Sequence, residues 1–234
     1  MDILLHNPSS VSETKTGTKN ADSIFPVRNS VNKQDRLYIV CGGNPDQSLL
    51  AGEMVCDAIK TYFYSFLDDQ EEITPQFIEK AIRMGEIALP EKASVTLSIC
   101  YFAPNAVYLS QIGESYICQI RDNQIIYKSI DTSTDKRLRG TNKPVEVNTV
   151  CLKDIQADDQ FFICNHRIDS VAEETEICRI LSESAIVDNK LAQIKHTFLN
   201  KYKRAFSAHL VPVKNVKRRY SFRQKFNLLL YSFI

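Results

Sequence analysis

Four short segments rich in β-branched and aromatic residues follow one another between residues 95 and 127, at 95–102, 106–112, 115–121 and 124–127. Only Asp122-Asn123 separates the last two. Asp and Asn tolerate positive φ, so this dipeptide between alternating segments predicts a two-residue hairpin, and strands joined so tightly must pair antiparallel. An antiparallel sheet needs a cover for its apolar face, and the flanking sequence offers helices on both sides. Residues 48–67 place Leu49, Leu50, Met54, Val55, Ala58, Ile59, Tyr62, Phe63 and Phe66 at the 3.6-residue period of an amphipathic helix. A second helix should start after Thr74-Pro75, an N-cap followed by proline at the first helical position, and run to Leu89-Pro90.

Further strands are expected at 36–40, 145–152, 160–164 and 206–213, with helices at 172–182 and 190–203. Residues 1–35 are polar and broken: Ser9-Ser10 and Thr14-Lys-Thr-Gly-Thr18 read as loop, and 3–5 and 23–27 as short strands. Mutually pairing strands, with two helices early and two late, predict an α+β sandwich. No internal repeat is present.

The seven cysteines are odd in number and include no Cys-x-x-Cys pair. Cys100, Cys118, Cys151 and Cys164 lie inside apolar runs, which points to reduced core fillers in a cytosolic protein and away from a structural zinc site. No charged-then-apolar leader opens the sequence, and no apolar run approaches the ~20 residues of a membrane span, so a cytoplasmic address is expected. The net charge of +1 conceals an asymmetry. No acidic residue follows Asp188, whereas eleven of the 29 lysines and arginines do, leaving 18 basic against 28 acidic residues in positions 1–188. An acidic body with its basic residues concentrated at one end is a poor nucleic-acid binder.

Three segments stand in a telling order: Tyr38-Ile-Val-Cys-Gly-Gly-Asn44, Ile112-Gly-Glu-Ser-Tyr116 and Phe161-Phe-Ile-Cys-Asn-His-Arg167. Together with Asn20-x-Asp22, Ala51-Gly-Glu53 and Asp158-Asp-Gln-Phe-Phe-Ile163, they resemble the metal-dependent PPM-type (type 2C) serine/threonine protein phosphatases over residues 14–213. The family's stretches read as Asn-Glu-Asp, apolar-apolar-Asp-Gly-x-Gly-Gly with a trailing Ala-Gly-Glu, Gly-Asp-Ser, and Gly-Asp-x-Leu-Leu-Leu leading to Ser-Asp-Gly. The resemblance implies a four-layer αββα sandwich of two antiparallel sheets flanked by helix pairs, with a phosphatase-like domain at 1–213 and a C-terminal tail at 214–234.

The family's chemistry uses two hard divalent cations, manganese or magnesium, held by carboxylates. At the matching positions the sequence has Ala21, Cys41, His166 and, by the match of Arg204-Ala-Phe-Ser-Ala208 to a closing Asp-Asn-x-Ser/Thr-Ala, Arg204; Gly42 follows Cys41 at the cleft. Only Asp22 and Glu114 keep a carboxylate. The family's phosphate-gripping arginine is also missing, its place falling near Gly17 with Lys15 and Lys19 as the nearest cations. A guanidinium at 204 would repel a dication and pair with Asp22 or Glu114. The expectation is a degenerate cleft without metal or other cofactor, and a pseudophosphatase that acts by binding a protein partner such as a phosphoprotein. The alternatives are an active phosphatase using manganese or magnesium through Asp22 and Glu114, and a structural interaction domain whose tail is the working surface.

Each pointed reading has a plain counterpart. Cys41, His166, Asp22 and Glu114 include legitimate zinc or iron ligands, but Cys41 reads better as a strand-end filler and His166 as a loop residue. Glu114 beside Ser115 suggests a base and its nucleophile, against a turn with a local hydrogen bond. Cys56 and Cys178 fall on helix faces as core residues. The segment 214–234 carries six cations and ends in Leu228-Leu-Leu-Tyr-Ser-Phe-Ile234. It can pack on its own domain, with Phe226, Leu229, Leu230 and Phe233 buried, touch an anionic membrane surface peripherally, or dock on a partner.

Overall fold

Tyr38 and His209 meet edge-on in the middle of the protein, their ring centroids 5.3 Å apart, because two antiparallel sheets pack face to face there. The structure is a computed structural model that describes residues 2–14, 19–27, 36–68, 73–129, 137–140, 145–168, 170–183, 186–202 and 205–217. Lys15, Gly17, Arg204 and the tail beyond Lys217 lie outside the described residues.

One sheet has the order β1 (Asp2–Leu5), β12 (Phe206–Lys217), β11 (Gln160–Cys164), β7 (Tyr116–Arg121), β8 (Gln124–Lys128), with β2 (Ser9–Glu13) also paired to β12. The other runs β10 (Thr149–Leu152), β6 (Val107–Ile112), β5 (Ser94–Phe102), β4 (Leu37–Gly42), β3 (Ser23–Phe25), with the short β9 (Leu138–Arg139) on β5. The helices α1 (Ala51–Phe66) and α2 (Pro75–Ala88) cover the second sheet, and α3 (Val171–Ser182) and α4 (Val187–Tyr202) cover the first. The expected four layers are therefore present.

Three apolar clusters fill the gaps between layers, and strand alternation decides which side chain joins which. In β4, Leu37, Ile39 and Cys41 point to α1 and α2, while Tyr38 and Val40 point between the sheets to meet Phe102, Phe161 and Ile163. Both faces are apolar because β4 is covered on both sides. The hairpin between β7 and β8 forms at Asp122-Asn123, with φ of 49° and 64°, the left-handed pair that a two-residue turn of this hand requires.

Several boundaries differ from expectation. Ser9-Ser10 is not loop: it opens β2, which pairs with β12 in the register His209 to Ser10. Ser9 and Ser10 are buried and satisfy their hydroxyls on Asp188 and His209, so a strand forms there without apolar alternation. The helix expected from residue 48 begins at Ala51, the strand expected from 145 begins at Thr149, β3 ends at Phe25, and β12 runs on to Lys217 because β1 pairs with its far end. Thr74 is the N-cap of α2 but its hydroxyl makes no capping bond. A full capping box instead opens α3, where Ser170 and Glu173 each accept the other's backbone N–H.

Candidate functional site

Strand ends of both sheets converge on a polar cleft of about 470 Å³. Asp22 enters it just ahead of β3, Gly42 from the end of β4, Thr96 from β5, Glu114 from the β6–β7 turn, and Asn165 and His166 from the end of β11.

Asp22 is the centre of the arrangement. Its Oδ2 accepts from Asn165 Nδ2 at 2.6 Å and from the Ser207 hydroxyl at 3.0 Å, and its Oδ1 accepts from the Gly43 N–H at 3.2 Å. The backbone N–H of Asp22 is held by Asn20 Oδ1 at 3.0 Å. Burial outweighs these bonds and the nearby Arg137 charge, and it raises the Asp22 carboxyl to about 6. Asn165 is shared: its Oδ1 accepts the Ser207 N–H at 2.9 Å. Three residues from three distant parts of the sequence thus form one closed network, and neither Asn165 nor Ser207 figured among the expected site residues. Both were present within the matched motifs, at the positions before His166 and three after Arg204.

Cys41 does not reach the cleft, contrary to expectation. Its side chain lies on the helix-facing side of β4, fully buried, with the Cys56 thiol 3.4 Å from its sulfur. Burial pushes the Cys41 thiol well up, so it sits as a neutral thiol among apolar side chains. The alternation of β4 makes Gly42 the cleft-facing position. A Cβ there would stand 2.4 Å from Thr96 Oγ1 and 3.3 Å from Asn165 Cβ, so the neighbours occupy the space a side chain would need. Gly43 is required by close approach: a Cβ would lie 2.1 Å from the Ala21 carbonyl oxygen.

The other expected positions among the described residues, His166 and Glu114, line the cleft in different roles. His166 lines the cleft, but its Nε2 donates to the Ala205 carbonyl at 2.8 Å and its ring stacks on Phe206 at 5.9 Å and Phe198 at 6.1 Å. Glu114 is exposed at the rim and has no side-chain partner among the described residues. Ser115 beside it is buried and donates to the Leu97 carbonyl at 3.1 Å, so the two do not form a base–nucleophile pair.

Arg137 sits where sequence reasoning saw only a polar connection. Its Nη2 donates to the Gly42 carbonyl at 3.0 Å and its Nε to Ser94 Oγ at 3.1 Å, bringing a permanent charge to the cleft wall. Lys19 and Arg167 line the same cleft. Thr96 is 3% exposed, yet its hydroxyl has no hydrogen-bond partner among the described residues.

Each ion of a divalent pair needs about six oxygen ligands, mostly carboxylate and water. The cleft offers Asp22, whose oxygens already take three protein donors, and the rim carboxylates Glu114 and Asp46. No group of three or more His, Cys, Asp or Glu side chains converges among the described residues. This donor set does not fit a metal pair. No described helix is long and apolar enough to cross a membrane.

No protein-family model and no curated protein matches the sequence. Solved structures do match the fold. The serine/threonine phosphatase PstP/Ppp of Mycobacterium tuberculosis is 18% identical with a TM-score of 0.67, covering 91% of this chain and 100% of that one. The catalytic domain of PstP in complex with two manganese ions is 17% identical with a TM-score of 0.69 over the same shares. The PPM Ser-Thr phosphatase MsPP from Mycobacterium smegmatis, in complex with cacodylate, is 11% identical with a TM-score of 0.67, again over 91% and 100%. At these identities the likeness shows the fold: this chain has the PPM-type phosphatase architecture.

Proposed function

We propose that this chain is a PPM-fold protein without phosphatase chemistry, which works by holding a protein partner at its cleft. The observation that carries this reading is the commitment of Asp22 to protein donors. A carboxylate that serves a metal must turn its lone pairs outward, whereas here Asn165, Ser207 and Gly43 occupy three of the roughly four acceptor sites of Asp22. Gly42 offers no side-chain ligand, and the guanidinium of Arg137, whose charge acts on Asp22, repels a dication.

With Asp22 tied up and Glu114 and Asp46 at the rim, the cations of the cleft are what is left to meet a partner's anionic group. Lys19, Arg137 and Arg167 supply positive charge and Thr96 an unspent hydroxyl, which together fit a phosphorylated side chain of the partner. Calorimetric titration with manganese or magnesium should show no site tighter than about millimolar, the weak end of divalent binding when ligand charge is removed. A generic aryl phosphate should not be hydrolysed in manganese. Two stoichiometric micromolar ions together with turnover would overturn the reading and return the protein to the active phosphatases.

A further inference from the structure

A second, wider groove of about 900 Å³ opens beside the cleft, between the end of α2, the turn that follows it and β9. Cleft and groove share Asn44 and Arg137, so they form one continuous surface. Backbone bonds fix the groove wall. The Ala93 N–H closes the turn on the Pro90 carbonyl at 3.0 Å, Glu91 bridges to Gly140, and the Gly140 N–H donates to Ala93 at 3.3 Å. Lys92 holds a left-handed φ of 71° in that turn.

The charges along the groove are unequal. Glu86 is buried and committed: it pairs with Arg83 and accepts the Val145 N–H at 3.1 Å, so its charge is neutralised behind the wall. Glu91 then stands against Lys92, Arg137 and Arg139. Lys92 and Arg139 are exposed, and neither side chain has a hydrogen-bond or ion-pair partner among the described residues. Ile87 lines the same groove at 75% exposure, a large apolar side chain left in water.

We infer that this groove docks an acidic peptide segment of the partner, with carboxylates against Lys92 and Arg139 and an apolar residue on Ile87. The inference rests on the reading of the cleft as a protein-binding site and says what else that partner must carry. Charge complementarity selects the occupant, and continuity with the cleft places it on the same partner. It also excludes this chain's own segment 214–234, which has six cations and no acid.

The test uses the full chain and a fluorescein-labelled peptide of alternating glutamate and leucine, with a lysine–leucine peptide of equal length as control, read by fluorescence anisotropy. The glutamate peptide should bind and the lysine peptide should not. Binding should weaken on raising salt from ~50 to ~300 mM, because the contacts are exposed. Charge reversal by Lys92→Glu with Arg139→Glu should lower affinity by about tenfold or more, and Ile87→Glu should lower it independently; all three sites are exposed, so circular dichroism should show an unchanged fold. Wild-type affinity in the reversed variant, or equal binding of both peptides, would overturn the inference. A phosphatase assay in manganese on the same preparation separates the two ideas. Turnover defeats the proposed function whatever the groove does, and an inactive protein whose reversed variant still binds defeats the groove alone.

Discussion

Asn165 Nδ2 donates to Asp22 Oδ2 over 2.6 Å, joining the loop after β11 in one sheet to the segment that enters β3 in the other. The bond closes the mouth of the sandwich where the cleft lies. The bond itself favours the charged carboxylate, but the partial burial of Asp22 outweighs it and raises the group to about 6.

A raised folded pKa on an acid means that the folded protein holds the proton more tightly than the unfolded one. The stability this gives is full below about pH 4 and is lost as pH rises through about 6. Relative to Asp22→Asn, which cannot ionise, wild type should therefore lose about 2–3 kcal/mol between pH 4 and pH 7. Urea denaturation of both proteins across that range tests this. A wild-type minus variant difference that does not move with pH would show that Asp22 is better solvated than its packing indicates.

Installing a carboxylate on β4 separates the two faces of that strand. Cys41→Asp puts a charge among Val55, Cys56 and Ile59 under α1 and should destabilise by several kcal/mol or prevent folding, without any gain of metal binding. Gly42→Asp points the carboxylate into the cleft, where Thr96 must first rotate away, and should be the milder change. Thermal melts of the pair decide the matter; a Cys41→Asp protein as stable as wild type would mean that β4 is turned the other way.

This register lay beyond the reach of the sequence, and the reason is physical. An edge strand with one wet face announces its orientation by alternation, but β4 is apolar on both faces, so Tyr38-Ile-Val-Cys-Gly-Gly fits the cleft in either phase. What was legible is local: the Asp122-Asn123 hairpin, the helical periods of α1 and α2, and the β5 to β8 succession all follow from short-range rules. The serine-rich β2 was read as loop because its inward hydroxyls find partners only in tertiary contact, Ser9 on Asp188 and Ser10 on His209. The cleft shows the same division. Motif order located Asp22, Glu114 and His166, whereas Asn165, Ser207, Thr96 and Arg137 take their roles from neighbours up to 185 residues away, as in the bond from Ser207 to Asp22.

Asp159 anchors the start of β11 and gives a sharp stability prediction. It is fully buried and accepts from Arg121 Nε at 2.7 Å, Arg121 Nη2 at 3.0 Å, Gln119 Nε2 at 2.7 Å and the Gln156 N–H at 2.8 Å. Asp159→Ala strips Arg121 Nε and the Gln156 N–H of their acceptor, while Arg121 and Gln119 keep only their bonds to Asp154, and it should cost about 3 kcal/mol, the low end of the range when one partner of a buried pair is removed. Breaking an exposed pair such as Arg179 with Glu176 should cost far less by comparison. Comparable small losses in both would remove Asp159 from the structural core.

His209 bridges the sheets by a different route. Its Nε2 lies 3.1 Å from the Ile39 carbonyl, which can only accept, so this nitrogen carries the proton; Nδ1 is then free to accept from the Ser10 hydroxyl at 2.7 Å. The neutral ring satisfies both neighbours, whereas a charged ring would have to sit fully buried, and burial lowers His209 to about 4. A depressed folded pKa on a base contributes stability that is present above the unfolded pKa of about 6.5 and is lost as pH falls toward 4. That is the opposite direction to Asp22 over nearly the same window, so the wild-type profile alone mixes the two. Substituting glutamine keeps a donor for Ile39 and removes the titration. Wild type should lose about 2–3 kcal/mol relative to His209→Gln between pH 7.5 and pH 4.5, and the double variant with Asp22→Asn should show neither slope. Imidazole carbon shifts followed by nuclear magnetic resonance check the cause directly: a His209 ring that titrates near 6.5 in the folded protein would place it in contact with water and break this account of the bridge.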